Sequence, residues 1–197
     1  VSALRSFLRQ DPNIIMVGEI RDIETADISI QAALTGHMVL SSLHTNDAPT
    51  AIPRLFDMNI PPFLVSAVLN TVVAQRLVRR ICKDCIYSYK PPSHLVDAIR
   101  LEASELGIVK INIPKLIYAG KGCNICGDTG YKGRIGIFEI LKISEGVRGL
   151  INSSNFSLDN LRKLVRQDGM VSMFEDGMAK AEVGETTIEE LLRVVRE

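Results

Sequence analysis

The sequence predicts an α/β fold followed by a cysteine-bearing segment and a helical C-terminal region. Three observations support this prediction: a strand, helix and strand pattern before residue 45, two Cys-x-x-Cys pairs that begin where the composition changes, and helical patterns after residue 143. Because 46% of the 197 residues are apolar, the chain can bury one sizeable core or two small ones. We therefore expect a globular protein with three segments, residues 1–81, 82–134 and 135–197.

The first segment carries the α/β pattern. Residues 1–9 form an amphipathic helical pattern that starts without a methionine, so we interpret the sequence as a piece of a longer protein. The apolar run at 14–17 favours a buried parallel strand, residues 23–34 favour a helix closed by Gly36, and residues 37–44 favour the next strand. In such a unit both strands end at the same edge of the sheet.

A short helix is predicted after the second strand. Asn46 or Asp47 can cap it, and Asn59 can take the left-handed conformation that ends it. Pro53 lies inside this predicted helix and should kink it, because proline lacks the N–H that the helix interior needs.

The remaining elements are predicted from proline, capping and composition signals. A longer helix should run from residue 61 to about 80, with arginines near its end, where cations suit the helix dipole. A further helix is expected at 93–106 and a strand at 134–143. Ser157 can cap a later helix, and residues 187–190 form a capping-box pattern for the last one.

Charge and hydropathy exclude several classes of function. The 23 Lys and Arg residues equal the 23 Asp and Glu residues, so no excess of positive charge favours nucleic acid or an anionic membrane as partner. No apolar run approaches the roughly 20 residues that span a bilayer, and the first ten residues lack the layout of a signal peptide. We expect a cytoplasmic protein.

The four cysteines fall in two pairs, Cys82 with Cys85 and Cys123 with Cys126. Each Cys-x-x-Cys turn offers two thiolates, and two such turns complete the tetrahedral site that structural zinc prefers. A closed site of this kind leaves no position for water, so we expect it to have no catalytic role. The alternatives are four unliganded thiols or two redox pairs.

Two polar residues follow the predicted strands and are candidate catalytic groups. Glu19 comes directly after the first strand, where an acid can hold Mg²⁺ or polarise the attacking water of a nucleotide hydrolase. His44 ends the next strand and should lie at the same edge, where open α/β sheets bind ligands. Each residue alone is a weak signal, because a lone histidine usually has a structural role. We interpret His37 as a structural histidine of this kind.

The residues from Leu8 to Asp22 and from Thr35 to Asn46 closely resemble the family of type II secretion and type IV pilus assembly ATPases. Residues 74–80, the cysteine pairs, residues 127–134 and residues 184–190 follow in the family's order. The resemblance therefore covers nearly the whole chain.

This resemblance implies a RecA-like P-loop ATPase core, of which residues 1–81 are the C-terminal part, then a zinc subdomain and a C-terminal strand and helical region. It implies a cytoplasmic hexamer that uses ATP, Mg²⁺ and Zn²⁺ and works on an inner-membrane platform protein, with peripheral membrane association through partners. It also implies that Glu19 is the Walker B acid, that His44 belongs to the histidine box, and that Arg134 lies near the nucleotide.

Two questions stay open at this point. The zinc pairs favour pilus assembly or protein export over pilus retraction, since the retraction ATPases that the chain resembles more distantly typically lack them. The motifs do not separate pilus assembly from type II secretion, with a slight preference for the pilus. Arg21 and Arg76 lie in the matching motifs, where a role on an exposed helix or at an interface is equally compatible with the sequence.

The chain also departs from the family pattern, because it contains no Gly-x-x-x-x-Gly-Lys-[Ser/Thr] phosphate loop. Without that loop the β- and γ-phosphates of ATP have no cradle, so this chain alone should hydrolyse essentially no ATP. The alternative is a non-catalytic, zinc-stabilised binding module derived from such an ATPase. A zinc-ribbon protein that binds nucleic acid is disfavoured by the zero net charge and the absence of tryptophan.

Overall fold

A computed structural model describes residue 10 and residues 12–196, so the helix predicted for residues 1–9 lies outside the described residues. The elements are β1 (Ile14–Val17), α1 (Ile23–Leu34), β2 (Met38–Ser41), α2 (Ala51–Asp57), α3 (Pro62–Val68), β3 (Thr71–Ile81), β4 (Ile86–Tyr89), α4 (Ser93–Glu105), β5 (Ile117–Gly120), β6 (Tyr131–Lys142), α5 (Glu145–Ile151), α6 (Leu158–Gln167), α7 (Met173–Glu182) and α8 (Ile188–Val195). In the described part of the chain, no helix is long and apolar enough to cross a bilayer.

The described strands form three two-stranded sheets. β1 and β2 run parallel in the register that pairs Ile14 with Met38, β4 and β5 run antiparallel, and β3 pairs with β6. The parallel pair is joined through α1, as the strand, helix and strand pattern predicted. The α/β class predicted from the sequence is therefore confirmed.

The chain divides by packing into two compact units. The first combines the described residues up to Ala74 with Ile140–Met170, and the second combines Gln75–Glu139 with the described residues from Val171 onward. This division reflects packing within the chain. The three segments predicted from the sequence, residues 1–81, 82–134 and 135–197, stay a prediction.

The first unit has two clusters of buried apolar side chains. One lies where α1 meets α3, and the other lies among α2, α5 and α6 and the end of β6. The members of the first are Ala26, Ile30, Ile60 and Val65; those of the second are Ala48, Ile52, Leu141, Ile143, Val147, Ile151, Leu161 and Val165. Burying side chains of this size stabilises each cluster by roughly 1.5–3 kcal/mol per large residue.

α1 has the bounds that the sequence predicts. Asp22 caps it, because its Oδ1 accepts a hydrogen bond of 2.8 Å from the N–H of Thr25. Gly36 follows its last turn with a φ of +95°, a conformation in which a side chain would be strained.

The long helix predicted for residues 61–80 is wrong, since α3 ends at Val68 and residues 71–81 form β3. The burial of β3 alternates with a period of two, so every second side chain faces outward. Val72 and Val73 are β-branched and fit a strand better than a helix. The apolar residues that predicted one long helix lie partly in α3 and partly in β3. Those in β3 happened to match the helical spacing as well as the alternating one.

The kink predicted at Pro53 is also unsupported, because α2 begins at Ala51 and places Pro53 in its first turn. N–H groups there have no partner inside the helix, so proline removes no helical hydrogen bond. Asp47 does not cap α2 itself: its Oδ1 accepts from the N–H of Thr50, one residue before the helix. Asn59 has the predicted left-handed conformation, with a φ of +60°.

The second unit buries a carboxylate among its apolar side chains. Glu190 on α8 is 1% exposed, and its two oxygens accept hydrogen bonds from the backbone N–H of Arg79 at 3.0 Å, from Nη2 of Arg79 at 2.7 Å, and from Nε and Nη2 of Arg193. The predicted capping box is thus half formed. Thr187 accepts the N–H of Glu190, while the Glu190 side chain holds β3 instead of the helix start.

This ion-pair network gives the protein a pH-dependent stability. Although burial favours the neutral acid, the hydrogen bonds from Arg193 and Arg79 lower the pKa of Glu190 to about 2. A lowered pKa contributes stability that is complete above the unfolded pKa of 4.5 and is lost as the pH falls toward 2.

We predict that Glu190→Gln lowers the free energy of unfolding at pH 7 by about 3 kcal/mol, because two guanidinium groups lose their carboxylate. The difference from wild type should shrink as the pH is lowered from about 4.5 to about 2, as measured by denaturant unfolding at each pH. Comparing the two proteins at the same pH cancels the titration of all other groups.

Glu105→Gln is the matched control, because Glu105 is exposed at the end of α4. It should change the free energy of unfolding by less than about 0.5 kcal/mol. A Glu190→Gln effect that stays constant across this pH range would contradict the assigned ion pairs.

Candidate functional site

The two candidate catalytic residues lie just beyond the ends of β1 and β2. The strands end level with each other, and their pairing continues past the strand ends, since the N–H of Ile20 donates to the carbonyl of Ser42 at 2.9 Å. The hydroxyl of Ser42 donates to the carbonyl of Gly18 at 2.7 Å. These bonds fix the backbone on both sides of Glu19 and bring it close to His44.

Glu19 is held by a cation or donor on each of its two oxygens. Nε2 of His44 donates to Oε2 at 2.8 Å, and Nη2 of Arg21 lies 2.5 Å from Oε1. The hydrogen bonds from His44 and then from Arg21 hold the pKa of Glu19 below its usual value. Glu19 is therefore a carboxylate, and the nitrogen that His44 turns toward it carries a proton.

Both partners of Glu19 are free to turn toward a ligand. The side chains of Arg21 and His44 are 71% and 80% exposed, whereas that of Glu19 is 32% exposed. The carboxylate of Glu19 can bind a cation, while the N–H groups of His44 and Arg21 can then donate hydrogen bonds to an anion. That combination suits a metal-bound phosphate.

A cleft of about 550 Å³ opens beside His44. It lies between the loop that follows β2 and helix α2. Its lining residues are Leu43, His44, Thr45, Asn46, Thr50, Pro53, Arg54 and Asp57. The cleft therefore gives a ligand of small-molecule size access to His44.

The four cysteines form the second candidate site. Their Sγ atoms all lie within 4.8 Å of one another, with 3.9 Å between Cys82 and Cys123, 3.9 Å between Cys85 and Cys126, and 3.7 Å between Cys123 and Cys126. Zn–S bonds of about 2.3 Å in a tetrahedron require S–S separations of about 3.8 Å. The thiols thus lie at the spacing of zinc ligands and too far apart for disulfides.

The chain around the cysteines allows a close approach of two backbones. Cys82 follows the end of β3, and its N–H donates to the carbonyl of Gly130 at 2.9 Å. A Cβ atom on Gly120 would lie 2.1 Å from that same carbonyl oxygen, so a side chain does not fit there. Glycine at both positions lets the chain before Cys123 approach the chain after Cys126 closely.

The thiols differ in their electrostatic environment. Although burial opposes it, the N–H groups of Cys123 and Gly130, at 3.2 and 3.3 Å, lower the pKa of Cys126 to about 6. Burial raises the pKa of Cys82 to about 12. A divalent cation would keep all four sulfurs as thiolates, so the donor set and its geometry fit zinc.

The remaining residues singled out from the sequence lie elsewhere. Arg134 is exposed on β6 in the second unit, and its place near a nucleotide stays a prediction. His37 is a local structural residue, with Nδ1 3.0 Å from both Thr35 Oγ1 and the carbonyl of Ala32. Arg76 donates to the carbonyl of Val194 on α8 at 3.0 Å.

The sequence left the role of Arg21 open and offered Asp47 as a helix cap, whereas the structure places Arg21 against Glu19 and Asp47 in the loop that carries His44. Arg21 is two residues after Glu19 and Asp47 is three residues after His44, so a charged residue close to each candidate was the available signal. The contact of Arg21 with Glu19 also requires a turn of the backbone that spacing alone does not fix.

Comparisons with known proteins agree with the motif evidence. The model of the family described as Type II/IV secretion system protein matches residues 1–193. The type IV pilus assembly ATPase PilB of Thermus thermophilus is 47% identical over 190 residues, which cover 96% of this chain and 21% of that protein. Type II secretion system protein E of Aeromonas hydrophila is 46% identical over 194 residues, which cover 98% of this chain and 37% of that protein.

Solved structures share the fold. The pilus retraction motor PilT with bound ADP aligns with a TM-score of 0.64 at 24% identity, over 98% of this chain and 42% of that one. The ATPase DotB of Legionella pneumophila aligns with a TM-score of 0.63 at 23% identity, over 98% and 41%. The chain thus spans about a fifth to two fifths of the length of these proteins. With the family match extending over almost all of its residues, the chain belongs to the type II/IV secretion system protein family.

Proposed function

We propose that this chain is the C-terminal part of a hexameric cytoplasmic motor whose ATP hydrolysis powers type IV pilus assembly or type II protein secretion. The observation that carries the proposal is the contact between Glu19 and His44 at the carboxyl edge of two parallel strands. It is supported by relatives of both kinds, named as a pilus assembly ATPase and a type II secretion protein.

Each residue at this edge has a role in the proposed reaction. Glu19 holds Mg²⁺, directly or through water, or orients the attacking water through its carboxylate. His44 turns its Nε2–H from Glu19 to the terminal phosphate when ATP is bound. In this proposal Arg134 also contacts the nucleotide.

The phosphate cradle comes from outside this sequence. The chain contains no phosphate-loop motif, so the rest of the longer protein supplies the backbone N–H groups and the lysine that bind the β- and γ-phosphates. The chain by itself binds ATP poorly and hydrolyses essentially none.

The apolar side chains on one face of the parallel sheet fit this view. Ile14, Met16, Met38 and Leu40 are 49–82% exposed, although parallel sheets are normally covered on both faces. In the longer protein the rest of the ATPase core covers them.

The motor works beside the inner membrane through a platform protein, and its partners do not include nucleic acid.

The cysteine cluster holds a structural zinc ion in this proposal. Its support is the spacing of the four thiols at the edge length of a zinc tetrahedron. With all four positions occupied by sulfur, Cys82, Cys85, Cys123 and Cys126 hold the end of β3 against the loop that precedes β6. The site stabilises the second unit and takes no part in hydrolysis.

We predict that Glu19→Gln in the full-length protein lowers kcat for ATP by at least about 100-fold, because an amide neither binds Mg²⁺ as well nor polarises water. Phosphate release measured at saturating ATP checks this.

Glu24→Gln is the matched control, since Glu24 is an exposed acid in the first turn of α1, and its kcat should match wild type. A Glu19→Gln protein that retains most of its turnover would refute the catalytic assignment. It would then favour the alternative function, a zinc-stabilised binding module without catalysis.

We predict one zinc ion per chain in protein purified under reducing conditions, detected by metal analysis. Cys123→Ser should abolish zinc binding and lower the free energy of unfolding by about 4 kcal/mol when free zinc exceeds the dissociation constant about 1,000-fold. Stability falls because zinc binds the folded chain in preference to the unfolded one, and this binding free energy is lost.

Ile125→Ser changes an exposed side chain between two of the thiols and should keep both zinc and stability. Protein that contains no zinc and loses no stability in the Cys123→Ser variant would refute the metal site.

A further inference from the structure

The loop that carries His44, residues 43–50, is held together by hydrogen bonds to Asp47. The carbonyl of Asp47 accepts from the hydroxyls of Thr45 at 3.1 Å and Thr50 at 3.0 Å, and its Oδ1 accepts from the N–H of Thr50 at 2.9 Å. All three hydrogen bonds therefore end on Asp47, two on its backbone carbonyl and one on its carboxylate. Asp47 fixes the shape of the loop.

The second oxygen of the Asp47 carboxylate bonds to a residue outside the loop. Oδ2 of Asp47 accepts from Nη2 of Arg162 on α6 at 2.7 Å, and the two residues are 115 positions apart in sequence. A charge-assisted bond of this length has a defined direction. It joins the loop to a helix that contributes nothing to the lining of the cleft.

Packing on both sides holds this ion pair in place. Ala48 follows Asp47 and is fully buried, and Leu161 precedes Arg162 and is also fully buried. Both belong to one cluster of buried side chains, to which Val165 of α6 contributes as well. Because interiors are close-packed, a shift of α6 must move its partners in the cluster.

At its other end, the loop reaches the catalytic edge. His44 lies three residues before Asp47, contacts Glu19 at 2.8 Å and lines the cleft together with Thr45 and Thr50. The same two threonines donate to the carbonyl of Asp47. A displacement of Asp47 therefore changes both the cleft wall and the position of the histidine.

We infer that Arg162 is a positioning residue for ATP hydrolysis, which holds His44 in place through Asp47 and couples α6 to the catalytic edge. This inference rests on the proposed function. The side chain of Arg162 is 49% exposed, and pairs of this exposure contribute little to overall stability. Loss of the pair should therefore act on the placement of His44 more than on folding.

The test uses the full-length protein with Arg162→Gln and, separately, Asp47→Asn, in which the amide oxygen still accepts the N–H of Thr50. Each variant should lower kcat for ATP by about 10-fold, because displacing a reacting group by a fraction of an ångström is costly in rate. The KM for ATP should change less than about two-fold, since the phosphate cradle is untouched.

The double variant Arg162→Gln with Asp47→Asn should be no slower than either single variant, because both remove one interaction. Arg162→Lys should recover part of kcat. Lys163→Gln, an exposed neighbour on the same helix, is the control and should keep wild-type kcat.

Hydrogen–deuterium exchange of the peptide that covers residues 43–50 gives a readout independent of turnover. It should be faster in Arg162→Gln and unchanged in Lys163→Gln. Unchanged kcat, additive single effects, or unchanged loop exchange in Arg162→Gln would each overturn the inference. If Glu19→Gln fails to stop turnover, the proposed function fails instead, and the exchange result still decides whether Arg162 holds the loop.

Discussion

The parallel pairing of β1 with β2 determines where the candidate catalytic groups meet. Its register sets the strand ends level, and the bonds among Gly18, Ile20 and Ser42 extend the pairing past the strands. Glu19 and His44 are thereby brought to 2.8 Å although they are 25 positions apart in sequence. A slip of one strand by one residue would turn its side chains to the other face of the sheet and separate Glu19 from His44.

The two units use different means to hold their polar groups. In the first unit, the donors around Glu19 and Asp47, which are Arg21, His44 and Arg162, are 49–80% exposed and can exchange partners with a ligand. In the second unit, the four thiols lie within 4.8 Å of one another, and the buried Glu190 is held by hydrogen bonds from Arg79 and Arg193. We interpret the first arrangement as suited to a reaction cycle and the second as suited to a rigid support.

Local signals in the sequence were enough to predict part of this structure. The bounds of α1, the cap at Ser157 and the left-handed Asn59 follow from neighbouring residues alone. The convergence of the four cysteines was predictable because two Cys-x-x-Cys turns offer the four ligands of a tetrahedral metal site. β3 was not, because its alternating pattern also contains helical spacing and only its pairing with β6 selects the strand. The bonds from Arg79 to Glu190 and from Arg162 to Asp47 join residues more than 100 positions apart, which no local signal predicts.

The most direct test of the central claim is a structure of the full-length protein with a non-hydrolysable ATP analogue and Mg²⁺. We predict that His44 Nε2 leaves Glu19 and lies within hydrogen-bonding distance, about 3 Å, of the terminal phosphate. Glu19 would then face Mg²⁺ or the attacking water. A nucleotide bound elsewhere, with the contact between Glu19 and His44 unchanged, would contradict the assignment of this strand edge as the catalytic site.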